Sequence, residues 1–356
     1  MDSLLELLGK YRCHLKRGKQ NMADFLALDF KNYISDLENA ISYERNPLIQ
    51  KEMCDLVEFH ISEIMENASK IIQVFSLYTE GKIVAASNKA FEVFDDMKPQ
   101  LMQRYSGAFH KTCYFRIRSA EGKDIPLDRK ELFHIPQSKN YLVDTERYSM
   151  PGHPCLYLAS QSQLAWYECG EPKQFLISMF DIPQEENNYL KFVDFSEKLM
   201  PLMHSFLSWF HNEDDKDVVR KYLLKYLCTY PLRAACSVGV EHPNGKFKEE
   251  YIVPQLLLQW VVNDTDFDGI SYESCKDSDV VKCLGGHNVV LVTKEFDNEG
   301  YDVRLRECIK VGEPSYFDLT KIKVASELED HMKDRNIENE PFYWGMDSIS
   351  NDFMRI

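Results

Sequence analysis

The stretch "ERYSMPGHPCLYLASQSQLAWYE", Glu146 to Glu168, compresses a turn, a strand and a helix into consecutive residues. Met150-Pro151-Gly152 is turn-forming, because proline presets one dihedral and glycine accepts conformations other residues avoid. Cys155 to Ala159 is a short apolar run after that turn, which reads as a buried strand. Ser160 with Gln163 fits a capping box and opens a helix there, and Gly170 fits its stop. On this helix Glu168 lies four residues after Leu164 and three after Ala165, so the three share one face. The acid is therefore expected to point inward, half-buried, in a last turn where the helix dipole opposes an anion.

Bulk composition narrows the surroundings of this acid. The chain has 356 residues, 44% of them hydrophobic, enough for a sizeable core and two folding units. Its formal net charge of -15 argues against nucleic acid or anionic membrane as a generic partner, since both attract basic surfaces. No apolar run reaches bilayer length, and "MDSLLELLGKYRCHLKRGK" places acids before bases, unlike a signal peptide. The expectation is a cytoplasmic protein. The ten cysteines are scattered without a C-x-x-C pair, and neither Cys228/Cys236 nor Cys275/Cys283 has zinc-ligand spacing. They read as reduced thiols filling core space, and no metal is expected.

The first third is helical in character. Phe30, Tyr33, Ile34, Leu37 and Ile41 recur at helical spacing, with Pro47 as the stop. Val57, Ile61, Ile64, Ala68 and Ile71 continue the pattern on a long helix, and Ser87 reads as the N-cap of a third that stops near Pro99. These stripes are those of a helix bundle. Near Gly107 the texture changes. "TCYFRIRSA", "CLYLA", "QFLISMFDI", "FDGISY" and "NVVLVTKEF" read as strands, separated by the helical "LKFVDFSEKLMPLMHSFLSWF", "KDVVRKYLLKYLC" and "YIVPQLLLQWVV". The fold class expected is α+β. A helical N-terminal domain spans 1-105, a catalytic-type domain 106-320, and a C-terminal tail 321-356 lies against the latter.

Several nucleotide and hydrolase signatures are absent: G-x-G-x-x-G after a strand, G-x-x-x-x-G-K-[ST], G-x-S-x-G and H-E-x-x-H. "CLGGHN" holds the only glycine pair and is a weak phosphate-loop signal. A bound nucleotide would have to be gripped by side chains. Arg116 and Arg118 alternate with other residues in "YFRIR" and share one side of a strand, while Arg147 stands just before the turn. Arginine is the side chain best suited to a bidentate grip on phosphate.

Together, "ERYSMPGHPCLYLASQSQLAWYE", "DGISYESC" and "HNVVLV" resemble the RES-domain family in both content and order, over roughly residues 110 to 300. The resemblance implies an ADP-ribosyltransferase-like catalytic fold acting on NAD+ as substrate, with no further cofactor. It implies Glu168, Arg147 and Ser274 as catalytic residues, and Arg116, Tyr157 and Asn288 as substrate-binding residues. Arg118 competes with Arg116 for the first arginine role, and Glu146-Arg147-Tyr148 departs from the Gly-Arg-Trp of many members.

The chemistry suits these residue types. Breaking the nicotinamide–ribose bond builds oxocarbenium character on the ribose, which a nearby carboxylate stabilises. The expected function is NAD+ phosphorolysis or hydrolysis by a bacterial toxin or defence effector, with an antitoxin protein as a partner. The N-terminal domain then fits a regulatory, oligomerising or partner-binding unit, with homo-oligomers among its outcomes. A protein ADP-ribosyltransferase using the same pocket, and a catalytically silent NAD-sensing module, are the alternatives.

Overall fold

The structure is a computed structural model. It describes residues 4–11, 15–42, 48–102, 113–182, 190–196, 216–264, 266–276, 281, 284–321 and 353–356. The chain forms two compact units. The first comprises Met1–Gly107, Thr145–Met150 and Phe192–Asp264; the second comprises Ala108–Asp144, Pro151–Lys191 and Thr265–Ile356.

The first unit is helical. Its N-terminal part holds α1 (Leu4–Lys10), α2 (Met22–Ser42), α3 (Leu48–Thr79) and α4 (Ile83–Leu101). The stripes expected from the sequence are its core: Phe30, Tyr33 and Leu37 on α2 and Val57, Ile64, Ala68 and Ile71 on α3 are buried. The α4 helix begins earlier than Ser87. That serine sits inside it, donating its hydroxyl to the Ile83 carbonyl, while the helix ends at Leu101, near the expected stop, with Pro99 in its last turn.

A correction to the domain expectation follows from the segment 192–264. It opens with a short strand, β4 (Phe192–Asp194), where the sequence suggested helix; residues 197–210 of that helical stretch lie outside the described residues. It then forms α7 (Lys216–Cys228), α8 (Tyr230–Ser237) and α9 (Ile252–Asn263). These helices belong with the N-terminal ones because their apolar faces need the same core. Tyr33 donates to the Leu227 carbonyl at 2.8 Å, Trp260 donates to Asp95 at 2.9 Å, and Lys98 pairs with Asp264 at 2.6 Å. Arg17, largely buried, bridges Glu249 and Glu250, each at 2.8 Å.

The second unit is built on an antiparallel sheet with β1 (Cys113–Ser119), β2 (Cys155–Ala159), β3 (Gln174–Asp181), β5 (Gly269–Tyr272), β6 (Asn288–Val292), β7 (Lys310–Gly312), β8 (Ser315–Asp318) and β9 (Phe353–Met354). Within the unit the order is β5-β6-β2-β1-β3-β7-β9, with β8 also on β3. Two residues of the tail, in β9, pair with β7, and residues 322–352 lie outside the described residues. The helix α6 (Ser162–Glu168) follows β2, α5 (Arg129–Leu132) follows β1, and α10 (Val303–Cys308) precedes β7.

The register fixes which side chains share a face. Phe115 pairs with Ala159, Ala159 with Asn288, Asn288 with Tyr272, and Ile117 with Ile177. Paired residues point the same way, so these lie on one face. On that face Phe115, Ile117, Ala159, Phe175 and Ile177 form a core with Leu164, Ala165 and Trp166 of α6. Burying each large side chain contributes about 2 kcal/mol, which is what holds so short a helix against the sheet. Arg116 pairs with Ser178 and takes the opposite face.

Candidate functional site

The helix α6 is held at its start by the loop preceding β6. The Ser160 hydroxyl accepts the His287 amide at 2.8 Å, and Gln161 stands at the N-cap, its side chain donating to the Leu284 carbonyl at 3.0 Å. Gly286 makes this approach possible, since a Cβ there would sit 3.0 Å from Leu164 and 3.2 Å from the Ser160 hydroxyl. The second glycine of "CLGGHN" thus has a packing role here, and the first, Gly285, takes a left-handed φ of 62°. At the far end Gly170 adopts φ 84°, a left-handed conformation that stops the helix where the sequence placed the stop.

Glu168 occupies the last helical position and is exposed, which corrects the expectation of a half-buried acid. Its carboxylate still turns toward the sheet: Oε1 accepts a hydrogen bond from Asn288 Nδ2 at 2.7 Å. Asn288 opens β6 and is only 4% exposed, so the donor is fixed while the acceptor keeps its charge in contact with water. Among the described residues, Oε2 has no partner. One carboxylate oxygen is held and the other is open to a ligand hydroxyl or a developing cation.

Tyr157 is half-buried on β2, two residues before Ala159, and so shares the face of Asn288 and α6. Ser274 lies just beyond β5, buried, and its hydroxyl accepts the Lys276 amide at 3.3 Å. Lys276 was not singled out by the sequence; its ammonium bonds the carbonyls of Tyr167 and of Glu168, the latter at 3.4 Å. Asn288 and Lys276 thus both bond the end of α6, and Ser274 holds the latter's backbone.

The arginines behave otherwise. Arg116 donates to the Phe133 carbonyl at 2.9 Å on the face opposite α6, and Arg118 pairs with Glu131. Burial lowers the Arg116 guanidinium to about 10, the like charge of Arg118 adding to the effect and Tyr157 and Cys169 opposing it. Among the described residues, no hydrogen bond or ion pair joins either strand arginine to the Glu168 carboxylate. Arg147 belongs to the helical unit, where its guanidinium donates to the carbonyls of Val238 at 2.9 Å and Cys236 at 3.1 Å and lies over the Tyr251 ring. Its surroundings are those of a buried structural cation. The sequence reading missed this because an arginine before a turn looks the same whether it grips phosphate or peptide carbonyls.

Among the described residues, no three His, Cys, Asp or Glu side chains gather as metal ligands, and no helix is long and apolar enough to cross a membrane. The fold and site together define a mixed α/β protein carrying an amide-anchored, solvent-accessible carboxylate at a helix end. No family model matches the chain, and no solved structure matches it. The chain is similar to a protein of Bacillus subtilis (strain 168) named "Putative toxin YopC", at 29% identity over 226 residues. The match takes in 61% of this chain and about half the length of that relative.

Proposed function

We propose that the protein is an NAD+-degrading enzyme of RES type that cleaves the nicotinamide–ribose bond by phosphorolysis or hydrolysis, acting as a toxin. The observation that carries this reading is the Glu168 carboxylate, one oxygen held by buried Asn288 at 2.7 Å and the other open. Such a group suits the reaction: as nicotinamide departs with the bonding pair, positive charge grows on the ribose, and a fixed carboxylate lowers that barrier. Tyr157, on the same face, suits the lining of a ribose or nicotinamide pocket. The resemblance in motif order supports the substrate, and the likeness to a protein named as a toxin supports the biological class.

The test is nicotinamide release from NAD+ by the purified chain and by Glu168→Gln, with and without inorganic phosphate and with and without cell lysate. The wild type is expected to act with small molecules alone. Phosphate dependence indicates phosphorolysis, and equal rates indicate hydrolysis. Glu168→Gln keeps shape and loses charge, so its turnover should fall by about a thousandfold, the scale of removing one electrostatic stabiliser. Near-normal turnover in this variant refutes the role of Glu168. Transfer of labelled ADP-ribose to a protein, seen only with lysate, would replace this reading with a transferase.

A further inference from the structure

We propose that Lys276 is a positioning residue that clamps the last turn of α6 and so holds the Glu168 carboxylate on Asn288, an inference that rests on the proposed role of Glu168. The helix has only seven residues and ends on an acid, both unfavourable: short helices are marginal, and an anion at a helix C-terminus opposes the dipole. Of the last carbonyls, those of Ala165, Trp166 and Tyr167 accept the amides of Cys169, Glu171 and Gly170, which leaves the Glu168 carbonyl without a backbone partner among the described residues. The Lys276 ammonium answers all three. It donates to the carbonyls of Tyr167 and Glu168, places positive charge at the negative end of the helix, and stands next to the residue whose carboxylate is in use.

Its own position is set by Ser274, a buried serine whose hydroxyl takes the Lys276 amide at 3.3 Å and so fixes the turn from which the lysine stem departs. The role of Ser274 follows as an anchor for Lys276. With the loop before β6 gripping Ser160 and Gln161, α6 is held at both ends by segments more than a hundred residues downstream, and the carboxylate by a third group, Asn288. A lysine free to bind substrate phosphates would have no need of the helix carbonyls; this one is engaged with them.

The experiment uses the full chain with Lys276→Met, which keeps the stem and removes the ammonium, and Lys276→Arg, which retains the charge. Two quantities are read: kcat and KM for nicotinamide release, and hydrogen exchange at the Cys169, Gly170 and Glu171 amides, which close the helix onto Ala165, Tyr167 and Trp166. In Lys276→Met, kcat should fall by about tenfold with KM within about twofold, the pattern of a lost transition-state interaction. Exchange should quicken at those amides alone, and Lys276→Arg should recover most of kcat. A raised KM at unchanged kcat would overturn the proposal in favour of a phosphate contact, and unchanged exchange would overturn the clamp. If the wild type releases no nicotinamide, the NAD+ reading fails by itself. The exchange comparison then still decides whether Lys276 holds α6.

Discussion

Replacing Asn288 by alanine removes the only donor to the Glu168 carboxylate among the described residues. The bond is charge-assisted, and such bonds contribute about 1.5–3 kcal/mol. The acceptor is exposed, so water restores part of the loss and the lower end applies. Roughly 1.4 kcal/mol of misplaced transition-state stabilisation corresponds to about a tenfold fall in kcat. The fold should persist, because β6 is held through backbone pairing to β2 and β5. Asn288→Asp should be worse, since a second carboxylate within hydrogen-bonding distance of Glu168 repels the first. Steady-state nicotinamide release, with thermal midpoints as the control for folding, measures both. Turnover within twofold of wild type in Asn288→Ala, at unchanged stability, would refute the idea that the amide orients the acid.

Three further outcomes test the framework around the site. Gly269→Ala would put a Cβ 2.2 Å from the Val290 carbonyl oxygen and 3.2 Å from the Leu291 Cα, backbone that cannot step aside, so the urea midpoint should drop by the equivalent of about 3 kcal/mol. His134 is fully buried and its pKa is lowered to about 4, chiefly by burial. Its folded pKa lies below its unfolded one, so the unfolded chain binds the extra proton; the stability is intact above about pH 6.5 and is lost as pH falls toward 4. By linkage that loss is about 2 kcal/mol at pH 5, and urea titrations of wild type and His134→Gln should show the variant with the shallower pH slope. Arg147→Lys should lower the thermal midpoint by the equivalent of about 2 kcal/mol, since lysine cannot reproduce the fork that meets the Val238 and Cys236 carbonyls, while turnover per folded molecule stays near wild type. A loss of turnover without a loss of stability would return Arg147 to the site.

What the sequence made legible was periodic. The strands at Cys113–Ser119, Cys155–Ala159 and Asn288–Val292 announce themselves by apolar alternation or apolar runs, and the stripes of α2 and α3 by helical spacing. The partition of the chain was not legible, because α7 to α9 carry apolar faces that say only that they are buried, not against which neighbour. The same limit applies to arginines. A pleat tells which face Arg116 takes relative to Phe115, but not that α6 covers the other face and that the Phe133 carbonyl waits on this one.

The acid at the end of α6 shows where local reading stops and long-range structure begins. Within the helix, Glu168 looks like an error: an anion set against the dipole, on the stripe that carries Leu164 and Ala165. Both costs are met by residues far along the chain. Lys276 neutralises the carbonyl end of the helix, and Asn288, whose backbone β6 locks beside Ala159, gives the carboxylate a fixed donor without removing it from water. A carboxylate with a purely structural role can be paired with a cation, as Glu250 is with Arg17 in the helical unit. Glu168 has instead a neutral donor on one oxygen and an open second oxygen, so its charge is uncancelled by any side-chain cation bonded to it. That is the state in which a carboxylate best answers positive charge arriving on a substrate.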